Sequence, residues 1–283
     1  MANKKRKTQQ GKPVKVVLTG ALGRAGMATL EIFCEEPGIE VVGVVDVRFW
    51  EKEFILPKGK DRVPSSTTFE GILASCQPDV LIDFTAPEAT LAAVALAAKR
   101  GIHVVIGTTG LSNEQLKKID RLARSGGIGV LTGSLSFGVA LAGHLASIAA
   151  KYFDYAEIVD LGKFEKLDAP SGAALDIAKA MAKTRRAPFK LPQGQKERPV
   201  CRGGQYDGVT VHSLRLSDCY IHEQIIFGTS AGTLLTIGLE LTSAEYLKPG
   251  IVIAVKEAPK HRGLVYGLDD LFLGFKKEKQ RRR

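Results

Sequence analysis

At 283 residues, 45% hydrophobic and 25% charged, the chain suits one large or two modest soluble domains with a sizeable core. It has no run of ~18 apolar residues, its basic N-terminus lacks an apolar signal core, and Cys34, Cys76, Cys201 and Cys219 show no CxxC spacing. A membrane partner, a secretory signal, a disulfide framework and a metal site are therefore disfavoured, and a reducing, cytoplasmic setting is expected. The net charge of +10 sits at the two ends. Residues 1–13 carry Lys4, Lys5, Arg6, Lys7 and Lys12; residues 276–283 carry Lys276, Lys277, Lys279, Arg281, Arg282 and Arg283 against Glu278; residues 14–275 are formally neutral. The ends read as basic, disordered tails, and no specific nucleic-acid partner is expected.

After the first tail, Val14–Thr19 is a β-branched run and reads as a buried strand. Gly20-Ala21-Leu22-Gly23-Arg24-Ala25-Gly26 turns into a helix over Met27–Cys34, with Pro37 and Gly38 beyond its end. Ile39–Asp46 is a second strand. Asp79–Thr85 is another and opens onto a helix from Pro87 through Lys99. Ile102–Gly107 follows, and Gly107-Thr108-Thr109-Gly110 leads to a helix near Ser112, where Ser112-Asn113-Glu114-Gln115 reads as a capping box. Ile128–Thr132 completes the set. Strands alternating with helices predict an α/β fold with a doubly wound parallel sheet and ligands at the strand C-ends.

Past residue 135 the pattern changes. A helix is predicted from Gly138 toward Tyr152, a strand over Tyr155–Leu161 and a helix from about Ala173 to Lys183. Arg185–Cys201 is rich in Pro, Lys, Arg and Gln and reads as an exposed loop. Val209–Leu216, Ile221–Phe227 and Leu234–Leu241 alternate and suit an antiparallel or mixed sheet with a solvent or subunit face. Lys248–Lys256 is a final helix, and Gly263–Leu268 lies near the end.

Two stretches carry chemistry. The first is Gly20-x-x-Gly23-x-x-Gly26, which leaves a strand and opens a helix. Glycines there permit a tight turn and a close approach of backbone to a pyrophosphate on the positive helix terminus, which makes Gly20, Ala21, Leu22, Gly23, Arg24 and Ala25 candidate nucleotide contacts. Leu22 stands where the usual pattern has its second glycine. Asp46, ending the second strand, suits an adenosine ribose and favours NADH; Arg48, two residues on, suits a 2′-phosphate and favours NADPH. Phe84 and Gly107-Thr108-Thr109 lie at two further strand ends of the same crevice. The second stretch is Lys166-Leu167-Asp168-Ala169-Pro170-Ser171-Gly172-Ala173. It sets a lysine and a helix-capping acid ahead of a helix start whose exposed N–H groups suit a carboxylate.

Gly20-x-x-Gly23-Arg24-x-Gly26, Asp83-Phe84-Thr85-x-Pro87-Glu88, Gly107-Thr108-Thr109-Gly110, the lysine stretch, Val211-His212-Ser213-Leu214-Arg215, His222-Glu223 and Phe227-Gly228 resemble, in order and spacing, the dihydrodipicolinate reductase family over about residues 14–274. The resemblance implies NADPH or NADH as cofactor and a small-molecule substrate, a cyclic unsaturated dicarboxylate of lysine and diaminopimelate biosynthesis. It also implies a homotetramer. In domain terms it implies a Rossmann domain over 14–134 plus 247–275, with an inserted α+β substrate and oligomerisation domain over 135–246. Lys166 falls on the family's catalytic lysine. Lys163, Ser171, Gly172 and Ala173 fall on its substrate contacts, and Ser134 and Leu135 on a cofactor loop. The family writes two adjacent histidines where this chain has Gly162-Lys163, threonine at Ala173, Pro-Asn-Phe-Ser at Gly133–Ser136, and an arginine near Ala244. These departures leave two other readings: a nucleotide-binding, non-catalytic sensor or assembly partner, or a reductase of another imine or unsaturated acid.

Overall fold

The computed structural model describes residues 12–59, 61–191, 202–217, 221–267 and 271; the predicted tails apart from residues 12 and 13, Cys201, Cys219 and most of the loop before Cys201 lie outside the described residues. The chain divides into two compact units, one running to Leu131 and including Ala254–Val265, the other comprising Thr132–Ile253 and continuing from Tyr266.

In chain order the elements are β1 (Val14–Thr19), α1 (Arg24–Cys34), β2 (Ile39–Val45), β3 (Glu53–Ile55), β4 (Arg62–Ser66), α2 (Phe69–Ile72), β5 (Val80–Asp83), α3 (Pro87–Arg100), β6 (His103–Ile106), α4 (Asn113–Ser125) and β7 (Gly129–Thr132). There follow α5 (Phe137–Ala149), β8 (Tyr155–Lys163), α6 (Gly172–Thr184), β9 (Gly204–Tyr206), β10 (Val209–Leu216), β11 (Ile221–Gly228), β12 (Leu234–Leu241), α7 (Lys248–Glu257) and β13 (Gly263–Tyr266).

The first sheet has the order β13-β7-β6-β5-β1-β2-β4-β3. β2 and β5 flank β1 in parallel, and only the short β3 is seen to run antiparallel, to β4. Val17 faces a core shared with Phe69, Ile72, Val94, Ala97 and Ile119, whereas Val16 and Leu18 alternate to the opposite face and are equally buried. Burial on both faces is what a doubly wound parallel sheet requires of its β-branched strands. The predicted capping box forms: Ser112 accepts the Gln115 N–H at 3.1 Å, and Gln115 accepts the Ser112 N–H at 2.8 Å.

The second sheet has the order β12-β11-β8-β10-β9, with β10 parallel to β8 and the other pairs antiparallel, so it is mixed. Its inner face packs on α5 and α6 through Ala156, Ile158, Val211, Ile225 and Phe227 against Val139, Ala142, Ile177 and Met181. Small residues on the two helices let them lie close, with Gly143 against Ile177 and Ala180. Toward one end the inner face turns polar: Asp160, Ser213 and Glu223 occupy positions that alternation assigns to the core. The opposite face carries Tyr155, Leu214, Leu216 and Leu234, all exposed.

Candidate active site

The order of the first sheet reverses at β1, with β2, β4 and β3 to one side and β5, β6, β7 and β13 to the other. The crevice beyond the C-ends of β1 and β5 is where such a sheet takes a ligand. Gly20 leaves β1 with φ +73°, and a Cβ there would lie 2.2 Å from the Phe84 carbonyl oxygen; one on Gly26 would lie 2.3 Å from the Gly20 oxygen. Only glycine allows this approach. The α1 N-cap, Gly23, offers no side-chain oxygen to the first-turn N–H groups, and that turn holds no acid. The donors of Arg24, Ala25 and Gly26, which lack intrahelical acceptors, are left at a positive terminus that a pyrophosphate fits.

Asp46 follows β2 beside the glycine turn. Its Oδ2 accepts the Leu22 N–H at 2.9 Å and Arg48 Nη2 at 3.0 Å; Oδ1 accepts Arg48 Nε at 2.8 Å. These bonds from Arg48, more than any other contact, hold the Asp46 carboxyl below the usual carboxylate range despite its burial. The Arg48 side chain is 59% exposed and the Asp46 side chain 6%, so the pair presents a guanidinium outward. Beneath the crevice, buried Asp83 accepts hydroxyls from Thr19 at 2.6 Å, Thr85 at 2.7 Å, Thr108 at 2.9 Å, and Thr90. Thr108 also accepts the Thr85 N–H at 2.9 Å, which ties the ends of β1, β5 and β6 together. The Phe84 ring lies where a Gly107 side chain would be, 2.1 Å from its ideal Cβ.

The lysine stretch connects β8 to α6. Ser171, and not Asp168, is the α6 N-cap: its hydroxyl accepts the Ala174 N–H at 3.0 Å and donates to Glu223 Oε1 at 2.9 Å. The Ser171 N–H donates to Asp160 Oδ2 at 2.8 Å. Both polar groups of the predicted substrate contact Ser171 are therefore committed inward, and Gly172 and Ala173 supply the remaining first-turn donors. Asp168 instead pairs with Lys166 Nζ at 2.5 Å, leaving the Lys166 side chain 16% exposed. Its geometry differs from a cap because the Ala169-Pro170 step separates it from the helix start.

Asp160 Oδ2 also accepts the Ser213 hydroxyl and Arg215 Nη2, each at 3.1 Å. Asp160 Oδ1 and Glu223 Oε2 are buried with no donor among the described residues. The two acids face each other in register across β8 and β11. Burial, reinforced by the Asp160 charge, pushes the Glu223 carboxyl up to about 8. A proton held on Glu223 gives the pair the donor it lacks.

Residues 14–134 match the family described as "Dihydrodipicolinate reductase, N-terminus" and residues 138–272 the one described as "Dihydrodipicolinate reductase, C-terminus". The chain belongs to the dihydrodipicolinate reductase family. A 4-hydroxy-tetrahydrodipicolinate reductase of Dehalococcoides mccartyi is 39% identical over 260 residues, covering 92% of this chain and 98% of that protein. The same enzyme of Moorella thermoacetica is 38% identical over 264 residues, covering 91% and 97%. A solved structure, dipicolinate-bound dihydrodipicolinate reductase from Paenisporosarcina sp. TG-14, superposes with a TM-score of 0.74 at 28% identity, covering 92% of this chain and 99% of that one. Like its family, the chain is an NAD(P)H-dependent oxidoreductase.

Within this reductase the predicted nucleotide contacts of the first unit lie about the β1/β5 crevice, and Lys166 lies on the short loop that leads to Gly172 and Ala173 at the start of α6. Lys163 ends β8 at the base of that loop, where its carbonyl accepts the Lys166 N–H at 3.0 Å. Thr109 follows β6 on the Gly107–Gly110 turn. Ser134 and Leu135 belong to the second unit, where Leu135 is buried and Ser134 Oγ accepts the Ser136 N–H at 3.3 Å. The Asp83 ring of threonines and the Asp160–Glu223–Arg215 cluster escaped the sequence reading. The available signal was an acid at an inward position of each strand, two residues from Ile158 and from Ile225. A cavity of about 200 Å³ between α5 and α6, lined by His144, Lys179 and Tyr266 among others, is separate from the lysine loop, none of whose residues lines it.

Proposed function

We propose that this chain reduces 4-hydroxy-tetrahydrodipicolinate to tetrahydrodipicolinate in lysine and diaminopimelate biosynthesis, as a cytoplasmic enzyme. The observation that carries the reading is Lys166 on the short loop that leads from β8 into α6, whose first N–H groups, at Gly172 and Ala173, have no intrahelical acceptor. A carboxylate of the substrate takes those two donors, favoured by the helix dipole. The nicotinamide supplies the hydride. Lys166 delivers the proton to the anion that remains, and Lys163 adds a second positive charge for the dicarboxylate. Gly162 has no proton to give, so Lys166 is the proton donor of this site.

The test is a coupled assay: freshly generated substrate with NADPH, then NADH, followed by nicotinamide absorbance. Oxidation of the nucleotide is expected. Nucleotide binding without oxidation would sink the reading in favour of a non-catalytic paralogue, and oxidation only with another imine would move the substrate. For the cofactor, the Asp46–Arg48 pair presents its guanidinium to the 2′-phosphate. Arg48→Ala is expected to weaken NADPH binding by roughly tenfold or more, as loss of a charge-assisted bond implies, and NADH binding by far less. Titration calorimetry with each nucleotide measures the difference, and equal losses would remove Arg48 from cofactor choice.

We assign homotetramer formation to the outer face of the second sheet. Leu234 there is 77% exposed, and Leu214, Leu216 and Tyr155 lie on the same face. Two apolar patches on this sheet face, Leu214 with Leu216 toward one end and Tyr155 with Leu234 toward the other, favour a second copy over water. Charged residues in place of Leu214 and Leu234 should yield smaller species in sedimentation.

A further inference from the structure

We propose that Arg215 is a positioning residue for this reaction, seated over Gly162 and clamping the Lys166–Ser171 loop onto the buried Asp160; the proposal rests on the reductase reading above. Arg215 is the register partner of Gly162 in the parallel β10–β8 pair, so both residues address the same face of the sheet. A Cβ on Gly162 would stand 3.0 Å from Lys166 Cδ and 3.3 Å from Arg215 Nη1. The space that a side chain at 162 would occupy is thus held by the lysine stem and the guanidinium.

From that seat Arg215 makes bonds that a shorter or round cation cannot reproduce together. Nη2 reaches Asp160 Oδ2 at 3.1 Å and the Asp168 carbonyl at 2.6 Å; Nη1 reaches the Leu214 carbonyl at 2.8 Å and the Asp160 carbonyl at 3.3 Å. The side chain is 14% exposed and Asp160 is fully buried. One planar group therefore joins β8, β10 and the loop, while Asp160 passes the connection to the Ser171 N–H at the head of α6. Lys166 and the Gly172 and Ala173 donors inherit their placement from this clamp. A lysine at 215 keeps the charge and loses the fork. A histidine at 162 would make the guanidinium and the lysine stem shift to admit its Cβ, so Gly162→His should loosen the clamp.

Binding of dipicolinate, a planar dicarboxylate, measured by calorimetry on the full chain beside turnover, tests this. Arg215→Ala is expected to weaken dipicolinate at least tenfold and to raise the substrate KM and lower kcat, with NADPH affinity unchanged. Added guanidinium at tens of millimolar should recover part of the dipicolinate affinity, a rescue that general destabilisation would not give. Arg215→Lys should resemble Arg215→Ala, and Gly162→His should lower kcat. Dipicolinate binding within twofold of wild type in Arg215→Lys, no rescue of a folded Arg215→Ala, or a gain of activity in Gly162→His would each overturn the proposal. If the wild type fails to turn over while Arg215→Ala still loses dipicolinate, the clamp stands and the substrate assignment falls.

Discussion

Lys166→Ala is expected to lower kcat roughly a hundredfold, the scale on which a positioned general acid contributes, while nucleotide affinity stays as it was. The reason is that Lys166 has no histidine neighbour to take over its task. Position 162 is glycine, and the Lys166 stem runs across it, 3.0 Å from the ideal Cβ. The ammonium is held at 2.5 Å from Asp168 on its own loop, which leads into the start of α6. Lys166→Arg separates charge from proton: it keeps a cation for the substrate carboxylate but holds its proton too tightly to donate. Its substrate KM should stay within a few-fold of wild type while kcat falls as in Lys166→Ala. Single-turnover measurements with saturating NADPH check both, and full activity in Lys166→Arg would reduce Lys166 to an electrostatic role.

Much of this site is local in sequence, and that is why it was legible. The Gly20–Gly26 turn, the α1 start and the lysine loop each span about ten residues or fewer, and local propensity suffices to place them. The Ser112–Gln115 box is of the same kind. One short loop carries Lys166 from the end of β8 to the start of α6 at Gly172. What was missed depends on register or on weak patterning. β3 and β4 hide in Glu53–Ser66, where strands of three and five residues include Pro64 and lack sustained alternation. The N-cap shifted from Asp168 to Ser171 because capping needs the side chain at the residue where helical dihedrals begin, and Gly172 is the first helical residue. The Asp160–Glu223 pair joins residues 63 apart through a β8–β11 register that only the folded sheet defines. Period two nonetheless puts both acids on the core side, and an acid at such a position marks a polar network within the core.

That network makes stability fall as pH rises from about 4.5 to about 8. The Glu223 carboxyl, at 4.5 in a free chain, is raised to about 8 by burial first and by Asp160 second, against the hydrogen bond from Ser171 and the charge of Lys166. Arg215, on β10, faces the pair through Asp160. Between those two values the folded chain holds a proton that the unfolded chain has lost. The contribution is therefore complete below 4.5 and disappears as pH climbs through about 8. A shift of this size predicts a loss of about 2 kcal/mol between roughly pH 6.5 and 9, or about 4–8 °C in Tm for a protein of this length. Glu223→Gln places a permanent donor opposite Asp160 Oδ1 and an acceptor for the Ser171 hydroxyl, so it should remove the slope. Its Tm is expected to gain on wild type steadily across that range. Because Ser171 caps α6 and rests on Glu223, the wild-type KM for substrate should also climb above pH 8, and the variant's should not. Melting curves and KM values taken at matched pH decide it: parallel profiles for the two proteins would place the shared proton elsewhere.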